Sequence, residues 1–495
     1  MKSRRAILIA IASFALISGL CVCVASVAFV AYNSFGEQVS TILSEPSILF
    51  DSGVENPADV PETQTPIGAD VDLDRLFSPF WESRELLHEA FVEQPVDDSA
   101  LAQGALDGLI AALADFGVDL DAVDMPTAAP SPQSLSDEAN TPADIEELYR
   151  DFWQAWGTAE YAQLDGQITY EELMRASLRG MIAALGDDHT SFLTPEDLIQ
   201  SENSLQGEYE GIGAWVDPTA DYLTIIAAMD GSPAEAAGLQ PGDRVIAIDG
   251  EDMTGIDGNA VISRILGPAG SVVVMTIERE SIQAPFDVTI VRAAIFVASV
   301  ESEMLDDDIA YIRLLTFGGT SAEEFHAALE DLMAQDPKGL IFDMRNNGGG
   351  FVQTAVEITS EFIADGVVLY EAYGNGSRDA HRALPDGLAT EIPLIVLVDG
   401  GSASSAEIVA GAIQDFERAL LVGDTTFGKG SVQTTPLLSD NQGALRVTIA
   451  YWLTPNERQI HEIGLEPDVM VEFTEEDFDA GLDPQLDRAI ELLNE

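Results

Sequence analysis

Four short runs of mostly apolar residues, at 309–314, 339–344, 394–398 and 420–422, lie in the C-terminal half of this 495-residue chain. Runs of that length, rich in branched side chains, suit strands covered on both faces. The stretches between them, 321–334, 354–363 and 406–416, carry apolar residues at helical spacing. This alternation implies an α/β domain over 295–480, closed by a C-terminal helix at 481–495.

The rest of the chain divides differently. Lys2, Arg4 and Arg5 precede an uncharged stretch at 6–31. As a helix it exceeds the ~30 Å apolar core of a bilayer. A signal anchor over 1–35 is expected, with the N-terminus inside and the remainder of the chain extracytoplasmic on a single-pass membrane protein. The competing reading is a cleaved signal peptide, whose apolar region is usually about 7–15 residues. Residues 36–70, with Pro46, Pro57, Pro61 and Pro66, read as a polar linker. Residues 71–200 read as helical, broken at 125–142. Within them Phe80-Trp81 and Leu106-x-Gly108-Leu-Ile-Ala-Ala-Leu-x-Asp115 recur 72 residues later as Phe152-Trp153 and Leu178-x-Gly180-Met-Ile-Ala-Ala-Leu-x-Asp187. Two related helical hairpins would give this pattern, and so would chance likeness between two Ala/Leu-rich amphipathic helices. If the repeat is real, its first copy is a packing or homo-oligomer surface. Residues 205–294 change to short β-branched runs punctuated by glycine, with Ser232 and Pro233 suited to start a helix and Gly238 to end it.

Composition removes several functions. With 86 Asp+Glu against 22 Lys+Arg, a net charge of −64, the surface repels phosphate, and nucleic acid is not an expected partner. Both cysteines, Cys21 and Cys23, fall in the apolar stretch, and the five histidines are scattered, so neither a cysteine nucleophile nor a metal is expected, and no cofactor. Lysine occurs only at 2, 338 and 429, so each one invites a question about its role.

Ser404 stands where the strand at 394–398 runs through Gly400-Gly401 into a helix, a turn that exposes a hydroxyl beside helix N–H groups. Ser404-x-x-Glu407 is equally a capping box, and the two readings are compatible. Lys429, between Gly428 and Gly430, is the candidate base, since a neutral amine can take the serine proton. Such a lysine is useful only if its pKa falls from ~10.4 toward neutrality, which burial can cause. Gln433, four residues on, shares a face with Lys429 in strand or helix. The glycines of Arg345-Asn-Asn-Gly-Gly-Gly350 could offer N–H groups to an oxyanion, or simply make a turn. Tyr209-Glu-Gly211-Ile212-Gly213 could converge N–H groups on a peptide carboxylate, or again mark a turn.

Residues 231–250, Gly-Ser-Pro-Ala-Glu-Ala-Ala-Gly-Leu-Gln-Pro-Gly-Asp-Arg-Val-Ile-Ala-Ile-Asp-Gly, closely resemble a PDZ core. With Gly186-Asp-Asp-His189-Thr, Arg345-Asn-Asn-Gly-Gly-Gly, Ser402-Ala-Ser-Ser-Ala-Glu407, Phe427-Gly-Lys-Gly and Gly464-Leu-Glu-Pro-Asp468, in that order, the chain resembles the carboxy-terminal processing peptidases, or tail-specific proteases. The resemblance implies a ClpP/crotonase-like α/β protease core with a PDZ domain before its catalytic half and the helical region ahead of both. It makes Ser404 the nucleophile, Lys429 the base, Gln433 the orienting residue, Gly349 and Ser405 the oxyanion donors, and Gly211, Ile212 and Gly213 the peptide-carboxylate loop. Glu407, Asp415 and His189 take supporting roles. This chain has Gly348 where the family often has proline, and Ser-Ala-Ser-Ser-Ala-Glu in place of Ser-Ala-Ser-Ala-Ser-Glu, so Ser402 and Ser405 remain rival nucleophiles. The implied activity is cleavage of envelope or secreted proteins near free C-termini through an acyl-enzyme, with the tail held by the PDZ domain. The alternatives are an inactive PDZ scaffold and a Ser-His-Asp protease.

Overall fold

The computed structural model describes residues 71–495, apart from 119, 121–122, 124–129, 160–167, 196, 199–200, 202–207, 219–221 and 230. The expected anchor and linker lie outside the described residues. Among those described, no helix is long and apolar enough to cross a membrane.

Helices α1 (Leu73–Ala90), α2 (Asp98–Asp115), α3 (Pro132–Glu138), α4 (Arg150–Ala159) and α5 (Tyr170–Ala183) come first. Asp97 caps α2 by accepting from Ser99 N, and Thr169, 72 residues on, caps α5 in a capping box with Glu172. Other residues 72 apart also take reciprocal places. A Cβ at Gly104 would stand 2.4 Å from Gly180 O, and one at Gly108 2.4 Å from Ala176 O. The backbones of α2 and α5 therefore touch, an approach that only glycine permits. The rings of α1 and of the Tyr149–Trp156 stretch repeat the exchange. Phe77 meets Trp153 edge-on at 4.8 Å and Tyr149 meets Trp81 edge-on at 5.1 Å, while Phe80 and Phe152 stack at 6.0 Å between them.

Two details of 71–200 differ from expectation. Helix α3 forms inside the expected break, capped by Ser131 with Pro132 in its first turn. Ser191–Leu193 is a strand, β1, not helix. Three residues are too few to show a period, and β1 exists because Ala444–Arg446 offers it an edge.

Strands β2 (Glu208–Gly211), β3 (Ala214–Asp217) and β4 (Thr224–Ala228), helix α6 (Pro233–Ala236), strands β5 (Arg244–Ile248) and β6 (Glu251–Asp252), helix α7 (Gly258–Ile265) and strands β7 (Val272–Glu278) and β8 (Phe286–Val291) build the next unit. Its sheet runs β3-β4-β5-β7-β8, with β6 on β5, around buried Ile225, Val245, Val273, Met275 and Ile277. Ser232 caps α6, as its position beside Pro233 predicts. Strand β2 leaves this sheet to pair with β9 (Ala293–Phe296).

The last unit comprises β10 (Val300–Leu305), β11 (Ile309–Leu314), α8 (Ser321–Met333), β12 (Gly339–Asp343), α9 (Val352–Ser360), β13 (Val367–Tyr373), β14 (Arg378–Arg382), β15 (Leu394–Val398), α10 (Ser405–Asp415), β16 (Leu420–Gly423), β17 (Ser431–Thr434), β18 (Ala444–Leu453), β19 (Val469–Met470), α11 (Glu475–Ala480) and α12 (Pro484–Asn494). One sheet has the order β10-β11-β12-β15-β16-β19 and is parallel from β11 onward. Leu340, Phe342, Val396 and Val398 face the core shared with α8, α9 and α10, while Ile341, Ile395 and Leu397 face Ala489 of α12. Covering both faces explains why these strands read as unbroken apolar runs. The second sheet, β1-β18-β13-β14 with β17 on β18, joins the helical region to this unit. The loops leaving the C-terminal ends of β12 and β15 meet, which in open parallel sheets is where ligands bind.

Candidate active site

Five buried residues of β15 deliver the chain to Asp399-Gly400-Gly401, and α10 begins just beyond Ser404. Ser404 is 3% exposed and holds φ 53°, ψ −113°, outside the regions a side chain prefers. Such a conformation costs on the order of 1–3 kcal/mol and persists only where surrounding contacts impose it. Here they are visible. Gly349 packs so closely that a Cβ there would lie 2.8 Å from Ser404 Cβ and 2.9 Å from Ser405 N, and its own φ is +99°.

The rival serines are committed elsewhere. Ser402 Oγ donates to Met344 O at 2.8 Å and accepts from Asp399 N, while Ser405 Oγ donates to Gly350 O at 2.9 Å. Both tie the turn to the glycine loop. A second tie runs through Asp399 Oδ1, which accepts from Asn346 N and Gly401 N. Burial raises the Asp399 pKa. Arg345 anchors the same loop from behind, bonding Asp343, Asp483 and Gln485. Burial alone would raise the Asp343 carboxyl, but the adjoining Arg345 charge holds it below its ordinary value.

Glu407 joins the serine to the lysine. Its Oε2 accepts from Ser404 N and from Lys429 N, each at 2.8 Å. Its Oε1 accepts from Gly428 N at 2.7 Å and from Thr426 Oγ1 at 2.6 Å. One fully buried carboxylate thus gathers the backbones of both candidate residues; burial lifts its pKa while these four bonds oppose the rise. Lys429 itself is 8% exposed. Its flanking glycines are required by the 461–464 segment: a Cβ at Gly428 would fall 2.8 Å from Gly464 N, and one at Gly430 2.7 Å from His461 N.

Gln433 is fully buried on β17. Its Nε2 donates to Ser431 Oγ at 2.9 Å and Thr448 Oγ1 at 3.2 Å, and its Oε1 is buried without a hydrogen bond. His189 also comes to this place from far away in sequence. Burial first, and the Lys429 charge second, lower its pKa. Its ring lies 6.0 Å from that of His461, whose Nδ1 is buried without a hydrogen bond. At that nitrogen His461 has no carboxylate to orient it, unlike the base of a Ser-His-Asp site.

One expectation meets an obstacle. The N–H of Gly349 donates to Asn347 Oδ1 at 2.9 Å, with Asn347 fully buried and held by Leu314 O. That donor is turned inward, so in this conformation Gly349 supplies space beside Ser404 and not an oxyanion contact. In the 208–291 unit, Ile212 is buried with its carbonyl accepting from Ala234 N, and Gly213 has φ +72°. The N–H groups of Ala214 and Gly213 face the Tyr209 hydroxyl, whose pKa burial pushes up to about 12. The Tyr209 ring lies over Gly211, where a Cβ would stand 3.0 Å from Cε2.

Sequence reasoning did not single out Thr448 or assign Asp187 a role. Spacing carried no signal, because the contact between them joins residues 261 apart.

The model of peptidase family S41 matches residues 308–471, and a PDZ domain model matches 224–279. The carboxy-terminal-processing protease of Bartonella bacilliformis is 37% identical over 308 residues, 61% of this chain and 70% of that one. A carboxyl-terminal-processing protease of Synechocystis is 34% identical over 325 residues, 64% of this chain and 76% of its own length. Among solved structures, a photosystem II D1 C-terminal processing protease aligns with a TM-score of 0.45 at 24% identity, covering 81% of this chain and 94% of that one.

Proposed function

Since the chain belongs to the carboxy-terminal processing proteases of peptidase family S41, with an α/β protease core and a PDZ domain, we propose that its peptidase chemistry runs through Ser404 and Lys429. The Lys429 amine takes the Ser404 proton as Oγ attacks the scissile carbonyl carbon. The N–H of Ser405, at the start of α10, faces the negative charge that develops on the carbonyl oxygen. Collapse breaks the C–N bond, and the departing amine leaves with the proton held by Lys429. Water, deprotonated by the same amine, then hydrolyses the acyl-enzyme and restores the serine. Gln433 orients the amine without adding charge.

The observation that carries this reading is the Glu407 carboxylate, whose single oxygen Oε2 binds the backbone nitrogens of both Ser404 and Lys429. The PDZ domain captures the substrate tail, its 211–213 loop taking the terminal carboxylate and the strand edge an extended peptide. The substrates are envelope or secreted proteins with free, apolar C-termini. Retention at the membrane rests on the uncharged stretch at 6–31 and its basic flank.

The test is turnover of a peptide with a free apolar C-terminus by the full chain. Ser404→Ala and Lys429→Ala each lower kcat by about 10³-fold or more. Ser402→Ala turning over no faster than Ser404→Ala would instead leave the nucleophile undecided between them, and an active Lys429→Ala would end the proposal. Amidating the peptide's C-terminus raises KM if the PDZ loop reads the carboxylate.

A further inference from the structure

Ser431 and Gln433 share one face of β17, where their side chains bond, and Lys429 stands two residues before Ser431, in step with the same alternation. The opposite strand departs from regular pairing at this point: Val432 pairs with Ala450 but Gln433 pairs with Thr448, so Ile449 is an extra residue on β18. Bulges re-aim side chains in this way near functional sites. Regular pairing would set Ile449 against Gln433; the bulge sets a hydroxyl there instead.

That hydroxyl has a fixed polarity. Thr448 Oγ1 and Thr190 Oγ1 each lie 2.6 Å from Asp187 Oδ2. A carboxylate is an acceptor only, so both hydroxyls donate to it. Thr190 also receives Thr448 N at 3.1 Å, and Asp187 Oδ1 receives His189 N at 3.0 Å, which locks the loop against β18. With its one proton given to Asp187, Thr448 Oγ1 can only accept from Gln433. The amide must therefore present Nε2 there, and Ser431 Oγ takes the other Nε2 hydrogen. Oε1 is left as a buried acceptor with no hydrogen bond. The reverse amide orientation would direct N–H groups at the amine and occupy the lone pair that must take the serine proton.

We propose that Asp187 and Thr448 are positioning residues for the protease reaction: through Thr448 Oγ1, the Asp187 carboxylate fixes the Gln433 amide with its oxygen, not its nitrogen, available to the Lys429 amine. The His189 ring, two residues from Asp187, lies 6.0 Å from that of His461, and a Cβ at Gly430 would stand 2.7 Å from His461 N, so the loop and the backbone next to Lys429 meet at the same segment. The Gly-Asp-Asp-His-Thr motif thereby gains a role at the site, although neither Asp187 nor Thr448 touches substrate. The inference rests on the Ser404–Lys429 reading above.

The test compares kcat and KM of the full chain for wild type, Thr448→Val, Thr448→Ser, Gln433→Ala and the Thr448→Val/Gln433→Ala double variant, with Lys429→Ala alongside and folding checked by circular dichroism. Thr448→Val is expected to lower kcat about 10–100-fold, the usual cost of losing a group that orients a catalytic one, with KM within about twofold. Thr448→Ser recovers most of that loss. In the Gln433→Ala background Thr448→Val adds nothing, because the two act as one unit. Equal losses in both backgrounds, or Thr448→Ser as poor as Thr448→Val, would overturn the inference by assigning Thr448 to packing. Should Thr448→Val not fold, Asp187→Ala completes the same cycle with Gln433→Ala. An active Lys429→Ala would sink the underlying dyad, whereas an inactive Lys429→Ala with additive Thr448 and Gln433 effects would sink this inference alone.

Discussion

The hairpins α1–α2 and α4–α5 exchange the same contacts with each other, glycine against helix backbone and ring against ring, yet they end differently. Asp115 at the end of α2 is exposed, whereas Asp187, its counterpart 72 residues on, holds Thr190 and Thr448 next to Gln433. Both hairpins reach β18. The first does so through Val92 N, which donates to Thr448 O at 2.8 Å, and through Glu93, which accepts from the Tyr451 hydroxyl at 3.0 Å, while the second reaches the Thr448 side chain. Shared packing thus fixes where a hairpin lies, while in the proposal above the few residues past its last turn decide whether it takes part in chemistry.

The largest test of this comparison is at the helix crossing. Leucine at Gly180 would place a Cβ 2.2 Å from Gly104 O, and leucine at Gly108 would place one 2.4 Å from Ala176 O. Backbone cannot yield as a side-chain tip can. Gly180→Leu and Gly108→Leu are each expected to cost about 4 kcal/mol or more, in the range reserved for severe core disruption. Urea midpoints should fall alike for the two. A marked difference between them would break the reciprocity.

Next in size is a difference in turnover. Asp187→Asn is expected to lower kcat by about 10-fold, since asparagine keeps one acceptor but can offer an N–H to Thr448 in its place. Asp115→Asn, at an exposed helix end, should leave kcat within about twofold. Equal effects at the two positions would mean that the second hairpin only supports the fold.

Much of this architecture was legible in the sequence, for identifiable reasons. Leu394–Val398 and Ile309–Leu314 form strands over the residues expected, because double-sided burial writes itself as an uninterrupted apolar run. The Ser404 turn and the Gly428–Gly430 segment were legible because strained or crowded backbone requires particular residues at fixed places. The rest depends on tertiary geometry. Strand β1 needs the edge of β18. The inward turn of the Gly349 N–H depends on where one asparagine side chain points. The Thr448–Gln433 pair follows from an extra residue at Ile449, which no local pattern announces.

The smallest effect separates the hairpins by pH. Asp98, which opens α2, sits against Arg84 and His88. Burial would raise its pKa, but the hydrogen bond from Arg84 above all brings it below its ordinary value. A depressed carboxylate contributes stability above its unfolded pKa and loses it as pH falls through the folded value, so this contact yields only below about pH 4. His189, beyond α5, also has a depressed pKa, but it is a base. Burial and the Lys429 charge lower it, His461 acts in the same sense, and Asp187 and Asp188 oppose. The folded state then binds a proton less readily than the unfolded chain, whose histidine titrates near 6.5. Its contribution is complete above that pH and declines as pH falls below it, toward the folded pKa. The second hairpin's loop is therefore the first to feel mild acid. His326 and His381 have raised pKa values and respond in the opposite sense, so the informative quantity is the difference between variants and wild type. Between about pH 7 and 5 the urea midpoint of His189→Gln should fall less than that of wild type, whereas the Asp98–Arg84 contact is lost only in the carboxylate range. Parallel curves for His189→Gln and wild type would show that the loop beside Lys429 carries no proton-linked stability of its own, and the two hairpins would then differ in catalysis alone.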